Sequence, residues 1–285
     1  MMYHEPVLLK ESIEGLRIKP DGIYVDVTYG GGGHSGEILR HLTTGSLIAF
    51  DHDQDALKNK PDDERLVLIN QNFRFMRNFL KLYKAHPVDG ILADLGVSSH
   101  QFDTAERGFS LRFEGDLDLR MNQRKDLTAA KIVNTYSTNK LKEIFRQYGE
   151  LKNTGRITEK IETARSEKEI KTTAQLKDIL KPLVPPNQEN KFLARVFQAL
   201  RIEVNDELGA LKDFLAQCPE LLKSGGRLVV ITYHSLEDRL VKNFIKAGNF
   251  EGELEKDFYG NIEAVFKQIN KKPIMPTEEE IKRNN

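Results

Sequence analysis

Short apolar runs alternate with amphipathic stretches over the first hundred residues. The runs Ile23–Val27, Ser46–Phe50, Leu66–Asn70 and Val88–Leu95 read as strands, and the segments between them are long enough for helices. That rhythm predicts a parallel, doubly wound sheet, whose ligands bind at the carboxyl ends of its strands. From about Ala105 to Val204 the rhythm changes. Apolar residues recur at helical spacing in Ala129–Val133, Thr138–Tyr148, Ile157–Ser166, Thr173–Leu180 and Glu189–Leu211, with Pro182, Pro185 and Pro186 as interruptions. After Leu221 the α/β pattern resumes. Ser224-Gly225-Gly226 predicts a turn, Arg227–Tyr233 a buried strand, Leu236–Phe244 a helix capped by Ser235, and Val265–Asn270 a last strand. The expected organisation is an α/β domain from 1–104 and 205–285, interrupted by an all-helical insertion at 105–204.

The chemistry concentrates where strands end. The first strand runs into DVTYGGGGHSG, Asp26 to Gly36, and a helix begins at once. Glycines there let backbone approach a ligand where a Cβ would collide, and the helix start aims free N–H groups at it. Eighteen residues past Gly33 the second strand stops at Asp51, the spacing of an acid that holds ribose hydroxyls. Together they predict a nucleoside-cofactor site. Gly31, Gly33 and Gly36 also satisfy the dinucleotide pattern G-x-G-x-x-G, so an NAD-dependent oxidoreductase is the first competing reading.

Two further strand ends carry polar groups. In ILADLGVSSHQFD, Asp94 closes the fourth strand, followed by Gly96, Ser98 and Ser99. An acceptor there can orient the N–H bonds of an exocyclic amine; the bland alternative is a cap or turn residue. In ITYHSLEDR, His234 ends a strand on the same rim, either touching substrate or packed as a core histidine. The seven histidines form no H-x3-H or H-E-x-x-H pair, so no metal site is predicted. No nucleophile elbow or P-loop lysine occurs.

Composition narrows the class. The 285 residues carry 43 basic and 43 acidic side chains, which excludes a uniformly basic nucleic-acid coat. Residues 105–205 hold 20 Lys and Arg against 14 Asp and Glu, leaving 23 against 29 elsewhere, so the insertion is the better candidate for a phosphate-facing surface. Arg107, Arg112, Arg120, Arg195 and Arg201 are the candidates, although Arg195 and Arg201 stand six apart and do not share a helical face. Cys218 is the single cysteine, no apolar stretch is long enough to span a bilayer, and the first residues lack a secretory pattern. A cytoplasmic chain without membrane contact is expected.

Eight ordered blocks, from HEPVLL near the start through DVTYGGGGHS, AFDHD, DGILADLGVSS, AERGFS, DLDLRM and RVFQALRIEVNDEL to HSLEDR, resemble the bacterial ribosomal RNA small subunit methyltransferase H family. They cover the chain from His4 to Arg239. The resemblance implies a class I S-adenosylmethionine-dependent methyltransferase (a Rossmann-like doubly wound sheet) with a helical insertion that contacts RNA. It implies methyl transfer from S-adenosylmethionine to the N4 amine of a cytosine in the decoding region of 16S rRNA, within the small ribosomal subunit. Cofactor contacts would fall on Gly32, Gly33, His34, Asp51, Phe73, Asp94 and Gln101, with Asp94, Ser98, Ser99 and His234 as catalytic or substrate contacts. Two departures stand out. Ser99-His100-Gln101 replaces the family's Ser-Ser-Pro-Gln, and the chain stops at Lys282-Arg283-Asn284-Asn285 where the family commonly continues in a basic stretch. A missing RNA-contacting tail is therefore expected. A homodimer through the exposed insertion is a further expectation, and a non-catalytic RNA-binding or assembly module that keeps a vestigial cofactor fold is the second competing reading.

Overall fold

The computed structural model describes residues 6–254 and 265–283, the side chains of Ser99 and Arg283 excepted. The chain divides into two compact units, Met1–Gly96 with Leu208–Asn285, and Val97–Glu207. The second unit thus begins at Val97 and ends at Glu207, against 105 and 204 in the sequence expectation.

The first unit is built on five parallel strands, β1 (Ile23–Asp26), β2 (Ser46–Phe50), β3 (Leu66–Ile69), β4 (Val88–Asp94) and β5 (Leu222–Ile231), in the order β3-β2-β1-β4-β5. The central strands are largely apolar because both faces of the sheet are covered, whereas β5 begins with exposed Lys223, Ser224 and Gly225. Tyr24, Leu47, Ala49 and Leu92 face helices α1 (Leu9–Leu16) and α2 (Gly33–His41). Val25, Val27, Ile48, Phe50, Ile91 and Ala93 alternate with them and pack on the other side, where the cluster includes Met76 and Leu80 of α3 (Met76–Leu82). That side is completed by Phe214 of α10 (Glu207–Leu221) and Phe244 of α11 (Ser235–Ala247). The order reverses between β1 and β4, and that switch point is where a doubly wound sheet opens a crevice.

The second unit carries its own core. Short helix α4 (Ser99–Asp103) precedes an irregular segment that leads to α5 (Ala129–Thr135), α6 (Thr138–Gln147), α7 (Thr154–Glu167), α8 (Thr173–Leu180) and α9 (Glu189–Asn205). Ile132, Leu141, Phe145, Ile161, Leu176, Val196 and Leu200 are buried together. The helix expected over 189–211 is two helices, because Asp206 adopts a left-handed backbone (φ 53°) and stops α9 before α10 begins. Short helix α12 (Glu278–Arg283) closes the described chain.

The remaining differences from the sequence reading are local. β5 starts at Leu222, so the expected Ser224–Gly226 turn lies inside it, at the register shift between the pairs Val88–Leu222 and Gly90–Arg227. No strand forms over 265–270. The α11 cap is His234, whose Nδ1 accepts from the Glu237 N–H at 3.4 Å, and Ser235 is the first helical residue.

Motif RVFQALRIEVNDEL has a structural task in this unit. Buried Asn205 accepts from the Met121 N–H at 2.8 Å and donates to the carbonyls of Leu119 (2.8 Å) and Arg201 (2.9 Å), pinning the irregular segment to the end of α9. Truncation to alanine leaves a buried N–H without its acceptor. Asn205→Ala is expected to destabilise the protein by about 2–3 kcal/mol, read as an earlier transition in denaturant unfolding.

Candidate active site

The glycine turn after β1 is held open by contacts that a side chain would break. Gly32 lies at φ +80°, and a Cβ there would stand 2.6 Å from the Tyr29 hydroxyl oxygen. Asp26, at the end of β1, is fully buried. It accepts from the Ser35 hydroxyl at 2.7 Å and the Thr28 N–H at 3.0 Å, so one carboxylate ties the strand end to the first turn of α2. Burial pushes its carboxyl above the usual range, with the Ser35 hydroxyl pulling the other way.

Asp51 follows β2 directly. Its Oδ2 accepts from the Gly30 N–H and its Oδ1 from the Asp53 N–H, both at 2.8 Å, which fixes the acid against the glycine turn. Each carboxylate oxygen has a second lone pair, enough to take one hydroxyl apiece from a ribose. Burial raises Asp51 to about 6, opposed by those two backbone bonds. Phe73 opens a 3-10 turn after β3. Asn72 caps it by accepting from the Arg74 N–H at 2.9 Å, and the Phe73 ring packs edge-on against Phe214, with centroids 5.6 Å apart.

Across the switch point, Asp94 closes β4. Its backbone N–H donates to Thr28 Oγ1 at 2.7 Å, and Oδ1 accepts from the Tyr233 hydroxyl at 2.8 Å. Its Oδ2 faces His34 Nδ1 at 3.6 Å. The other ring nitrogen of His34, Nε2, lies 3.1 Å from the Val7 carbonyl oxygen, which can only accept, so Nε2 carries the hydrogen there. Asp94 is also raised to about 6, chiefly by burial; His34 and the Tyr233 hydroxyl oppose the shift.

The structure therefore brings Gly32, His34, Asp51 and Asp94 to one rim of the first unit. Gly33 is the first residue of α2, and a Cβ there would stand 2.3 Å from Pro6 Cγ. His234 sits at the end of β5 with Nε2 3.3 Å from Glu237 Oε1, bound to its own helix start. Ser98, Ser99 and Gln101 belong to the second unit, at the start of α4. Ser98 and Gln101 form a capping box there, with the Gln101 N–H on Ser98 Oγ at 3.4 Å and the Ser98 N–H on Gln101 Oε1 at 3.2 Å.

Three arginines of the expected phosphate-facing set have other work. Arg107 is buried and donates to the carbonyls of Arg120 and Met121; Arg120 is forked onto Asp118 at 2.6 and 2.8 Å; Arg201 is forked onto Glu207 at 2.9 and 3.0 Å. They satisfy an irregular segment rich in backbone carbonyls, a demand that net charge does not reveal. Arg112 and Arg195 are exposed. Sequence reasoning gave no role to Asp26, Thr28 or Tyr233. The signal for the first two was present, as polar residues at the end of an apolar strand and inside the glycine motif.

The candidate cofactor residues fit a nucleoside. A glycine turn that tolerates no Cβ, an acid with lone pairs to spare and an aromatic edge stand at successive strand ends. That arrangement on a sheet of this order defines an enzyme of the class I methyltransferase type. The chain belongs to the MraW methylase family, which matches it over residues 1–285. It is 58% identical over 286 residues to the ribosomal RNA small subunit methyltransferase H of Flavobacterium johnsoniae, covering 100% of this chain and 94% of that protein. The proteins of the same name from Christiangramia forsetii (56%, 100% and 94% covered) and Parabacteroides distasonis (56%, 99% and 93% covered) are similar to it in the same way.

Proposed function

We propose that this chain transfers a methyl group from S-adenosylmethionine to the exocyclic N4 amine of a cytosine in the decoding region of 16S rRNA. The observation that carries this reading is Asp94. It is an acid fixed by Thr28 at the sheet's switch point, beside the glycine turn and opposite His34. The names of the relatives supply the RNA class, and the resemblance of the sequence blocks supplies the position.

When bound, the donor supplies an electrophilic methyl on a sulfonium. Asp51 would hold the ribose, the turn from Gly32 to His34 would give backbone to the methionine part, and Phe73 would flank the adenine. The resemblance of the sequence blocks alone carries Gln101 over as a cofactor contact. Asp94 accepts an N–H of the target amine and so directs the nitrogen toward the methyl, a positioning effect that supplies several kcal/mol. An amine that takes a methyl must give up one proton, and the Asp94 carboxylate would be the acceptor in place for it. Ser98, Ser99 and His234 are assigned to substrate contact. The base leaves its stack to be reached, which favours unpaired RNA. Arg112 and Arg195 remain as phosphate contacts in the second unit, which we assign to RNA. A ribosomal substrate places the chain in the cytoplasm, and no helix among the described residues is long and apolar enough to cross a membrane.

The test is labelled transfer. Small subunits from a strain lacking this activity are incubated with the protein and radiolabelled S-adenosylmethionine, then digested to nucleosides. Label is expected in N4-methylcytidine. Label in another nucleoside, or none despite tight cofactor binding, would overturn the assignment.

A further inference from the structure

Tyr233 is the exposed member of the Asp94 cluster. Its side chain is a large aromatic, and the residue is 52% exposed although its hydroxyl is engaged with Asp94 Oδ1 at 2.8 Å. Its backbone is anchored separately, the Tyr233 N–H donating to Glu237 Oε2 at 2.9 Å. The ring lies over Gly96, which has φ +106° and where a Cβ would stand 3.1 Å from Tyr233 Cδ2. Glycine at 96 thus leaves room for the ring, and the polypeptide holds the residue at both its amide and its hydroxyl while about half of its surface stays open to solvent. A tyrosine serving the core would bury that surface.

The partner of the hydroxyl gives the meaning of this placement. A phenol O–H and an exocyclic amine N–H are both neutral donors, and Asp94 Oδ1 is the oxygen that the first one uses. We propose, on the reading of Asp94 as the acceptor for the target amine, that Tyr233 is a placeholder and stacking residue for the incoming base. In the free enzyme its hydroxyl occupies the acceptor that the amine will use; when a base arrives, the hydroxyl yields that oxygen and the ring lies against the base. Stacking on an open aromatic face recognises any base, so Tyr233 supplies affinity while Asp94 supplies the choice of an amine. The exchange keeps a hydrogen bond on Asp94 in both states, so this half-buried acceptor is never bare while the site waits.

Two variants separate ring from hydroxyl, each assayed by labelled transfer to small subunits and by calorimetric titration with S-adenosylmethionine. Tyr233→Leu is expected to raise KM for RNA by about tenfold or more with cofactor affinity unchanged. Tyr233→Phe keeps the stacking face and is expected to keep KM for RNA within about twofold of the parent. It also removes a donor that holds the Asp94 carboxyl down, so the acid limb of kcat/KM should move to higher pH. The other groups acting on Asp94 are His34 of α2 and Asp26 of β1, and on Tyr233 they are Glu237 and Glu280; all are unchanged in both variants. A fluorescent cytosine analogue at the target position should be quenched on binding to the parent and to Tyr233→Phe, and stay bright with Tyr233→Leu. An unaltered KM in Tyr233→Leu, or quenching that survives in it, would overturn the stacking role. An acid limb unmoved in Tyr233→Phe would overturn the placeholder role. Failure of the methylation reading itself would show differently, as absence of labelled N4-methylcytidine from the parent.

Discussion

Asparagine at position 94 is expected to lower kcat for methyl transfer by about 10²–10³-fold while cofactor affinity stays within a few-fold of the parent. The replacement has the same shape. Its oxygen can still accept from the Tyr233 hydroxyl, and its amide can face His34 Nδ1, so the rim keeps its packing. What it loses is the charge that orients the amine and the lone pair that receives the proton. In the parent, kcat/KM should fall below about pH 6, where Asp94 protonates. The residual activity of Asp94→Asn should lack the Asp94 contribution to that limb. Stability should move the other way. A carboxyl raised in the folded state contributes stability that is fully present below its unfolded pKa, near 4, and lost as pH rises through about 6. Asp94→Asn is therefore expected to unfold at an equal or higher temperature than the parent at pH 8, with the difference shrinking toward pH 4. Normal turnover by this variant in single-turnover assays would remove Asp94 from the chemistry.

The second large effect is on cofactor binding. Asp51→Ala is expected to raise the Kd for S-adenosylmethionine by about 10²-fold or more. Two charge-assisted hydrogen bonds to ribose hydroxyls are lost, at about 1.5–3 kcal/mol each, and every 1.4 kcal/mol is tenfold. The N–H groups of Gly30 and Asp53 lose their acceptor at the same time, so the glycine turn itself loosens. Because burial holds Asp51 at about 6, parent affinity should weaken from pH 8 to pH 5.5, and Asp51→Ala should not show this component. Calorimetric titration at the two pH values checks both. An unchanged Kd in the variant would mean that the ribose is held elsewhere.

Much of this was legible in the chain because the strands of a doubly wound sheet are short apolar runs with chemistry at their ends. Val25 runs into Asp26 and, past Val27, the glycines, Phe50 into Asp51, and Ala93 into Asp94, so sheet and site share one signal. The irregularities were less legible. An apolar pattern that continues from Glu189 to Leu211 reads as one helix, and only the backbone of Asp206 divides it. Ser224-Gly225-Gly226 carries turn composition, yet pairing with β4 absorbs it as a register shift. His234 takes the cap that Ser235 would be expected to fill, because a strand end leaves its ring beside the Glu237 N–H. Charge misled most. Arg107, Arg120 and Arg201 count toward a basic surface in the sequence, but each is committed to carbonyls or carboxylates within its own unit. Tyr233 was passed over since an aromatic in an apolar run reads as core, and its exposure exists only once β5 ends beside β4.

The carboxylates at the strand ends also bear on how a turnover finishes. Asp51 and Asp94, both held at about 6, gather negative character on one rim of the sheet above that pH, with His34 Nδ1 3.6 Å from Asp94. Such a field holds a positively charged sulfonium better than the neutral thioether that remains once the methyl has left. The same acids that ready the site for reaction thus bias it toward exchanging spent donor for fresh. Raised salt should erode that preference less than it erodes RNA binding, since buried charges are screened far less than those on an exposed surface.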